Sequence, residues 1–217
     1  MTLPTGLRPL DKALGIGGLP QGHITELIGP GIAPVSGGAC CIAARLASKV
    51  QRQQEIVTII DMSRSFDPWQ AERCGLVAPH LLLARPDTIF EALTTLENAA
   101  RNAQLIIVVM GGVAELLRHI EADLLKTLLK RLQNIVKQSS SVFLFVTYPA
   151  KNDPFNPQIY PAGFPLGDLA DVRLWVQDES WNYKDGLSTA YKANLTVIKN
   201  RLAMAGKGAD IRIKLTG

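Results

Sequence analysis

Unbroken apolar runs of strand length recur along the chain, separated by stretches that mix apolar and polar residues at helical spacing. The runs occupy residues 23–28, 55–61, 81–84, 104–110 and 141–147. Continuous hydrophobicity is typical of strands buried on both faces, as in a parallel sheet covered by helices. The stretches between them predict helices over residues 36–53, 67–74, 88–101 and 114–137. This β–α–β series predicts an α/β fold with a mostly parallel sheet flanked by helices.

The final part of the chain follows a different pattern. Residues 150–166 are rich in proline and asparagine and predict a long irregular loop. Beyond it, residues 171–177, 193–199 and 210–215 alternate apolar and polar side chains. Alternation is typical of strands with one exposed face, so we expect C-terminal antiparallel strands at one side of the sheet.

Composition supports a single domain spanning residues 1–217. The chain is 47% hydrophobic and 19% charged, which suits one core better than two small ones. Its net charge of +4 is compatible with nucleic-acid binding but too small to predict it. The three cysteines lack the spacing of a zinc site or a disulfide framework. The longest apolar stretch is too short for a bilayer and no leader is recognisable, so we expect a cytoplasmic protein without a membrane span.

Several motifs along the chain carry a family resemblance. The opening "LDKALGIGGLPQGHITELIGP" is similar to the pattern LD-x-x-LG-x-GGLP-x-G-x-I-x-E-I-x-GP, and "IIDMSRSFDPWQAERCGL" to IDAEHALDP-x-x-A-x-x-LG. "LLLARPDTIFEALTTLE" is similar to LL-x-x-QPDTGEQALE, and "VRLWV" and "LTVIKNRLA" to VRLDI and VKVVKNKIA. From about Thr5 to Gly217 the chain resembles the ATPase core of the RecA and RadA recombinase family, which implies a RecA-type P-loop NTPase core.

The resemblance also implies an expectation about assembly. We find no counterpart of the family's N-terminal polymerisation segment or of its C-terminal DNA-binding domain in the sequence. A conventional filament of identical copies is therefore not expected, and the oligomeric state stays open.

The loop "GPGIAPVSGG", residues 29–38, stands where the resemblance implies a phosphate-binding loop. Such a loop reads GxxxxGK[ST], in which backbone N–H groups and the lysine hold phosphates and the Ser or Thr binds magnesium. On that spacing the residues are Gly29, Pro34, Val35 and Ser36. Proline has no N–H to donate and valine has no charge, so the Walker A lysine is replaced. Ser36 survives, and a helix cap explains it equally well.

Three further nucleotide-handling roles of the family fall on residues that cannot perform them. The Walker B carboxylate that holds magnesium corresponds to Met110, the water-activating glutamate to Ser63, and the nucleotide-sensing glutamine to a position near Tyr148. Asp61 is a candidate replacement carboxylate, but a polar residue at a strand end more often faces solvent. The resemblance therefore predicts a vestigial nucleotide site, no cofactor or metal, and a pseudo-ATPase in place of an enzyme.

Candidate contacts with DNA or a partner come from two segments. The proline-rich loop corresponds to the family's second DNA loop, and the family's KNK cation pair, which reaches a neighbour's nucleotide in filaments, is matched near the C-terminus. The candidates are Lys151, Phe155, Tyr160, Phe164, Lys199 and Arg201. The aromatic residues either stack on bases or anchor the loop to the core. The cations of the KNK match contact a partner's nucleotide, a DNA phosphate or neither.

Three functions are compatible with these features. The leading hypothesis is a non-catalytic RecA-like protein that assists DNA repair, recombination or damage-induced (SOS) translesion synthesis. It would do so by binding single-stranded DNA, a recombinase or a DNA polymerase, and its degraded loop resembles that of the ImuA-type accessory proteins of bacteria. The first alternative is a divergent ATPase that still binds ATP, completed at a subunit interface. The second is a protein-interaction module that does not bind DNA.

Overall fold

The computed structural model describes residues 1–29, 37–110, 117, 120–148 and 164–216. Within these ranges the helices are α1 (Arg8–Leu14), α2 (Gly38–Arg52), α3 (Pro68–Arg73), α4 (Ile89–Ala99), α5 (Ala122–Gln138) and α6 (Leu166–Leu169). The strands are β1 (Thr2–Leu3), β2 (Leu19–Pro20), β3 (Ile24–Ile28), β4 (Val57–Asp61), β5 (Leu81–Ala84), β6 (Leu105–Val109), β7 (Val142–Thr147), β8 (Val172–Lys184), β9 (Leu187–Asn200) and β10 (Gly208–Lys214).

Eight of these strands form one sheet in the order β10-β9-β8-β3-β7-β6-β4-β5. From β8 to β5 every neighbouring pair is parallel. Strand β9 pairs antiparallel with β8 and β10, and β1 and β2 form a separate two-stranded sheet. The predicted α/β fold, a mostly parallel sheet with C-terminal antiparallel strands, is confirmed.

The central strands are covered on both faces, which explains their unbroken hydrophobicity. Every residue of β3, β4, β6 and β7 is buried. Because side chains alternate across a strand, successive residues fall into two apolar clusters. Ile59 packs with the cluster formed by α1, α2 and α3, and Ile60 with the cluster formed by α4 and α5. The carboxyl ends of the parallel strands are thereby held along one edge of the sheet.

A buried ion pair fixes the centre of the sheet. Glu26 of β3 is fully buried and accepts hydrogen bonds from Thr147 Oγ1 (2.8 Å) and Arg173 Nε (2.7 Å). A carboxylate is tolerated in a protein interior when such partners satisfy it. Glu26 therefore ties β3 to both neighbouring strands, β7 and β8, just before the chain enters the loop after Gly29.

The β8–β9 hairpin is longer than the alternation predicted. The sequence indicated strands over residues 171–177 and 193–199, whereas β8 and β9 continue until they meet at a tight turn. Asp185 and Gly186 occupy this turn with φ values of 51° and 80°, as expected of an Asp-Gly hairpin turn. The pattern was misleading because the pairing register shifts between Val176 and Asp178 and again between Asn182 and Tyr183, so the alternation breaks there.

One helix boundary and several short elements also differ from the expectation. The helix predicted over residues 114–137 is observed as α5, which begins at Ala122; residues 111–116 and 118–119 lie outside the described ranges. Helices α1 and α6 and the strands β1 and β2 were not predicted. Each is short, seven residues for α1, four for α6 and two for each strand, and such short elements show too few periods for a pattern to indicate them.

Candidate functional site

The candidate site lies where the parallel strands end and α2 begins. Gly29 follows β3 and donates its N–H to the carbonyl of Thr147, at 2.8 Å. Met110 follows β6 and donates its N–H to the carbonyl of Val146, at 2.9 Å. Ligands of open α/β sheets bind at this edge, beyond the carboxyl ends of the strands. The structure therefore brings Gly29 and Met110 to the edge at which a nucleotide would bind.

The loop itself is only partly described. Pro34, Val35 and Ser36 lie outside the described residues, so the expectations about their chemistry stay predictions. Helix α2 begins at Gly38 with Gly37 at the N-cap position, and no side chain caps it. The sequence suggested Ser36 as the N-cap of this helix, and the structure places Gly37 at that position.

The ring of Tyr148 covers both ends of the loop. A β-carbon at Gly29 would lie 2.7 Å from its Cε1 atom, and one at Gly37 would lie 3.0 Å from the same atom. The Tyr148 hydroxyl is 3.0 Å from Sγ of Cys40, in the first turn of α2. Burial raises the pKa of Tyr148 well above its ordinary value and that of Cys40 to about 11. At physiological pH the side chains of Tyr148 and Cys40 are therefore both neutral where they contact each other beside the loop.

A carboxylate from the hairpin reaches the amino end of α2. A β-carbon at Gly38 would overlap with Oε2 of Glu179 and with the ring of Tyr191. The Tyr191 hydroxyl donates a hydrogen bond to that Oε2, at 3.0 Å. Burial, and then the nearby carboxylate, raise the pKa of Tyr191, which keeps the hydroxyl protonated as a donor. A negative charge is favourable at a helix amino end, and the Glu179 carboxylate lies beside Gly38, the first residue of α2.

Glu179 and Tyr191 were not among the predicted site residues. They lie far from α2 in the sequence, and no local motif marks them. Only the hairpin, whose extension the sequence did not predict, carries them to Gly38.

Asp61 is buried, and the expectation that it faces solvent was wrong. Its side chain has no exposed surface and accepts hydrogen bonds from the backbone N–H groups of Ser65 (3.2 Å) and Phe66 (3.0 Å). Ser63 Oγ (2.8 Å) and Arg85 Nε (3.3 Å) also donate to it. Three of the four donors belong to the turn between β4 and α3, and Arg85 reaches it from the end of β5, so Asp61 organises that turn. Ser63, at the family's glutamate position, is thereby engaged within the turn.

Met110 lies in apolar surroundings. It is 7% exposed and lines an apolar cavity between the sheet and helices α4 and α5, together with Met62, Phe145 and Phe164. These side chains offer no oxygen ligand, which a magnesium ion requires. Within the described residues, no group of three or more His, Cys, Asp and Glu side chains is arranged to hold a metal ion.

The predicted DNA or partner contacts divide into three groups. Lys151, Phe155 and Tyr160 lie outside the described residues. Phe164 is 6% exposed, the arrangement of an aromatic residue that anchors the loop to the core and not of one that stacks on bases. Lys199 and Arg201 form the third group.

Lys199 and Arg201 hold helix α6 against the end of β9. Lys199 Nζ donates to the carbonyls of Gly167 (2.7 Å) and Asp168 (3.2 Å). Arg201 donates to the Asp168 carbonyl (2.9 Å) and to Oδ1 of Asp171 (3.2 Å). Burial, followed by the charges of Arg201 and Arg173, lowers the pKa of Lys199. In this structure the two cations satisfy carbonyls of their own chain.

Comparisons with known proteins agree with the fold and with the motifs. The family model described as the RecA N-terminal domain matches residues 1–216. Protein RecA of Thermus thermophilus is 31% identical over 228 residues, which cover 97% of this chain and 66% of that protein. Protein RecA of Bacillus subtilis (strain 168) is 30% identical over 228 residues, covering 98% of this chain and 64% of that protein. The chain thus spans just under two thirds of the length of these relatives.

A solved structure shares the fold over nearly the whole chain. The crystal structure of the RadB recombinase superposes with a TM-score of 0.67 at 20% identity, covering 97% of this chain and 95% of that one. None of the helices in the described part of the chain has the length and hydrophobicity that a membrane span requires.

Proposed function

The chain belongs to the RecA family, and we propose that it assists DNA recombination and repair in the cytoplasm as a binding protein that does not hydrolyse ATP. Its partners under this proposal are single-stranded DNA and a recombinase or a damage-induced polymerase.

One observation carries the non-catalytic part of the proposal: side chains of the protein pack against Gly29 and Gly37, on either side of the loop, and against Gly38, the first residue of α2. In a working phosphate-binding loop this helix end is open, and its N–H groups point at the phosphates. Here Tyr148 lies against Gly29 and Gly37, and the Glu179 carboxylate lies against Gly38. An entering phosphate would meet a like charge. At about 4 Å such a pair costs roughly 1 kcal/mol in water and roughly 4 kcal/mol near a protein surface.

Two further substitutions support the same conclusion. Met110, packed among apolar side chains, replaces the carboxylate that would hold magnesium. The Ser63 hydroxyl donates to Asp61 and is a poor base at neutral pH. A nucleotide at this edge would therefore lack both the metal and the activated water that hydrolysis needs.

We expect no saturable binding of a fluorescent ATP analogue with Mg²⁺ at micromolar protein, and no phosphate release. The double variant Pro34→Gly/Val35→Lys is expected to remain inactive as well, because Tyr148 and Glu179 still cover the amino end of α2. Fluorescence titration measures the binding, and a phosphate-release assay measures the hydrolysis, for the native protein and for the double variant. Micromolar binding by the native protein that Ser36→Ala abolishes would instead establish the divergent ATPase. Binding gained by the double variant would show that loop chemistry, and not the covering side chains, excludes the nucleotide.

We expect a labelled single-stranded oligonucleotide to bind in fluorescence anisotropy at about 50 mM salt and to bind at least about tenfold more weakly at about 200 mM, because phosphate contacts release counterions. Lys151→Ala is expected to reduce the slope of log K against log salt by about 1. Lys126→Ala is the matched control, since Lys126 already pairs with Asp123 at 3.0 Å. Absence of binding at low salt would remove DNA from the proposal. Affinity purification from cells with damaged DNA then tests the protein partner alone.

A further inference from the structure

All three cysteines of the chain line one narrow cavity between α2 and α3. Cys40 and Cys41 lie in the first turn of α2, and Cys74 follows the last residue of α3. Phe66, Asp67, Gln70 and Ala71 complete the lining of the cavity. The sequence contains no other cysteine, so the fold gathers every thiol of this protein at one point.

The three thiols have different partners. Cys41 and Cys74 face the same cavity and each shifts the pKa of the other, and Nε2 of Gln70 donates to Cys41 Sγ at 3.7 Å. Cys40 is engaged instead with the hydroxyl of Tyr148. Cys41 and Cys74 therefore form a pair from which Cys40 is separate.

The environment also distinguishes the members of the pair. The neighbouring Cys41 thiol, and then the charges of Arg45 and Arg73, lower the pKa of Cys74. The neighbouring Cys74 thiol, followed by burial, raises the pKa of Cys41. A thiolate is the reactive form of cysteine, and the two arginines favour it at Cys74, which makes Cys74 the candidate nucleophile and Cys41 the thiol that would react with it afterwards.

We propose that Cys41 and Cys74 form a reversible disulfide when the protein meets hydrogen peroxide. The Cys74 sulfur attacks the O–O bond, becomes a sulfenic acid and releases hydroxide, which takes up a proton to leave as water. The Cys41 sulfur then attacks the sulfenic sulfur. As the S–S bond forms, the sulfenic hydroxyl leaves with the Cys41 proton as a second water. Two thiols and one peroxide thus yield one disulfide and two water molecules.

The bond would connect α2 directly to α3. Arg73, beside Cys74, is 8% exposed and donates to the Ser188 hydroxyl (2.8 Å) and to the Thr216 carbonyl (3.2 Å). Oxidation would therefore join the first turn of α2 covalently to α3, which already makes hydrogen bonds to β9 and to the segment after β10. A crosslink also restricts the unfolded chain, so the oxidised protein should unfold at a higher temperature.

The test uses the full chain, treated with about one millimolar peroxide and then blocked with N-ethylmaleimide. Before blocking, we expect the intact mass to fall by about 2 Da, since two hydrogens leave. After blocking, only one thiol, that of Cys40, should carry N-ethylmaleimide. Dithiothreitol should reverse the loss of mass. Peptide mapping should join Cys41 to Cys74, and scanning calorimetry should show a raised Tm. Cys41 and Cys74 are each only 1% exposed. The bulkier reagent 5,5′-dithiobis(2-nitrobenzoate) should therefore react with these two thiols of the native protein more slowly than peroxide does.

Cys40→Ala is the matched control, and it should form the same bond with the same rise in Tm. Cys41→Ala should instead progress to the sulfinic acid at Cys74, a gain of about 32 Da. A bond that includes Cys40, a disulfide between two copies of the chain, or a folded protein whose three thiols all survive peroxide would overturn the proposal. Each of these outcomes can be measured on the native protein. The proposal can therefore be tested even if a cysteine variant fails to fold.

Discussion

Replacing Asp61 by alanine is expected to lower the free energy of unfolding by about 3–5 kcal/mol, the range for disrupting a buried charged network. Its carboxylate accepts hydrogen bonds from the backbone of Ser65 and Phe66 and from the side chains of Ser63 and Arg85. Alanine removes this acceptor, which leaves the Phe66 N–H inside the turn without its partner and the Ser65 N–H with only the Ser63 hydroxyl, at 3.3 Å. A buried donor in that position costs about 1–3 kcal/mol by itself.

Urea unfolding measures this effect, and Asp87→Ala is the matched control. Asp87 also pairs with an arginine, Arg64, but its side chain is 78% exposed, so we expect a change within about 1 kcal/mol. Arg85→Ala should fall between the two, because it removes one donor and leaves the carboxylate its other three. If Asp61→Ala were no more destabilising than Asp87→Ala, Asp61 would not organise the turn between β4 and α3.

The second large effect is expected at Gly38. Alanine is normally favoured over glycine in a helix by about 0.5–1 kcal/mol. Here the added methyl group would overlap with the ring of Tyr191, which is fully buried, and with the Glu179 carboxylate. Overpacking of this kind typically costs about 1–3 kcal/mol, so Gly38→Ala should be destabilising despite the helix propensity of alanine.

Gly208→Ala is the control for this comparison. A β-carbon at Gly208 would have its nearest neighbour, the Leu195 carbonyl oxygen, at 3.6 Å, which is ordinary van der Waals contact, so we expect a change within about 0.5 kcal/mol. Thermal unfolding of both variants measures the difference. Equal stability of the two would mean that the hairpin does not press on the amino end of α2, and the structural basis for excluding a nucleotide would be lost.

The arrangement at Gly38 shows which side chains this protein places at the amino end of α2. The sheet edge and the helix amino end persist because the hydrophobic core holds them, independently of any ligand. An exposed helix end still benefits from a nearby negative charge. The protein supplies that charge through Glu179, and Tyr148 covers the adjoining glycines.

Pattern and residue type were enough to predict the fold class, which the structure confirms, and to predict a loss of the family's nucleotide chemistry, which stays a prediction. Unbroken apolar runs predict buried parallel strands because burial on both faces demands apolar residues at every position. The identities of Val35 and Met110 predict a vestigial site because neither side chain has the charge that its position requires. These conclusions depend on local pattern and residue type, which a sequence displays directly.

Only the tertiary structure decided what occupies that site. It placed Asp61 inside a turn, although a strand end usually faces solvent, and it directed Lys199 and Arg201 to carbonyls of α6. It also brought Glu179 and Tyr191 to Gly38 and gathered the three cysteines around one cavity. Apart from the local turn contacts of Asp61, these contacts join residues that lie far apart in the sequence, and the neighbours of each residue carry no sign of its partner. They follow from strand register and helix packing, and the whole core sets both.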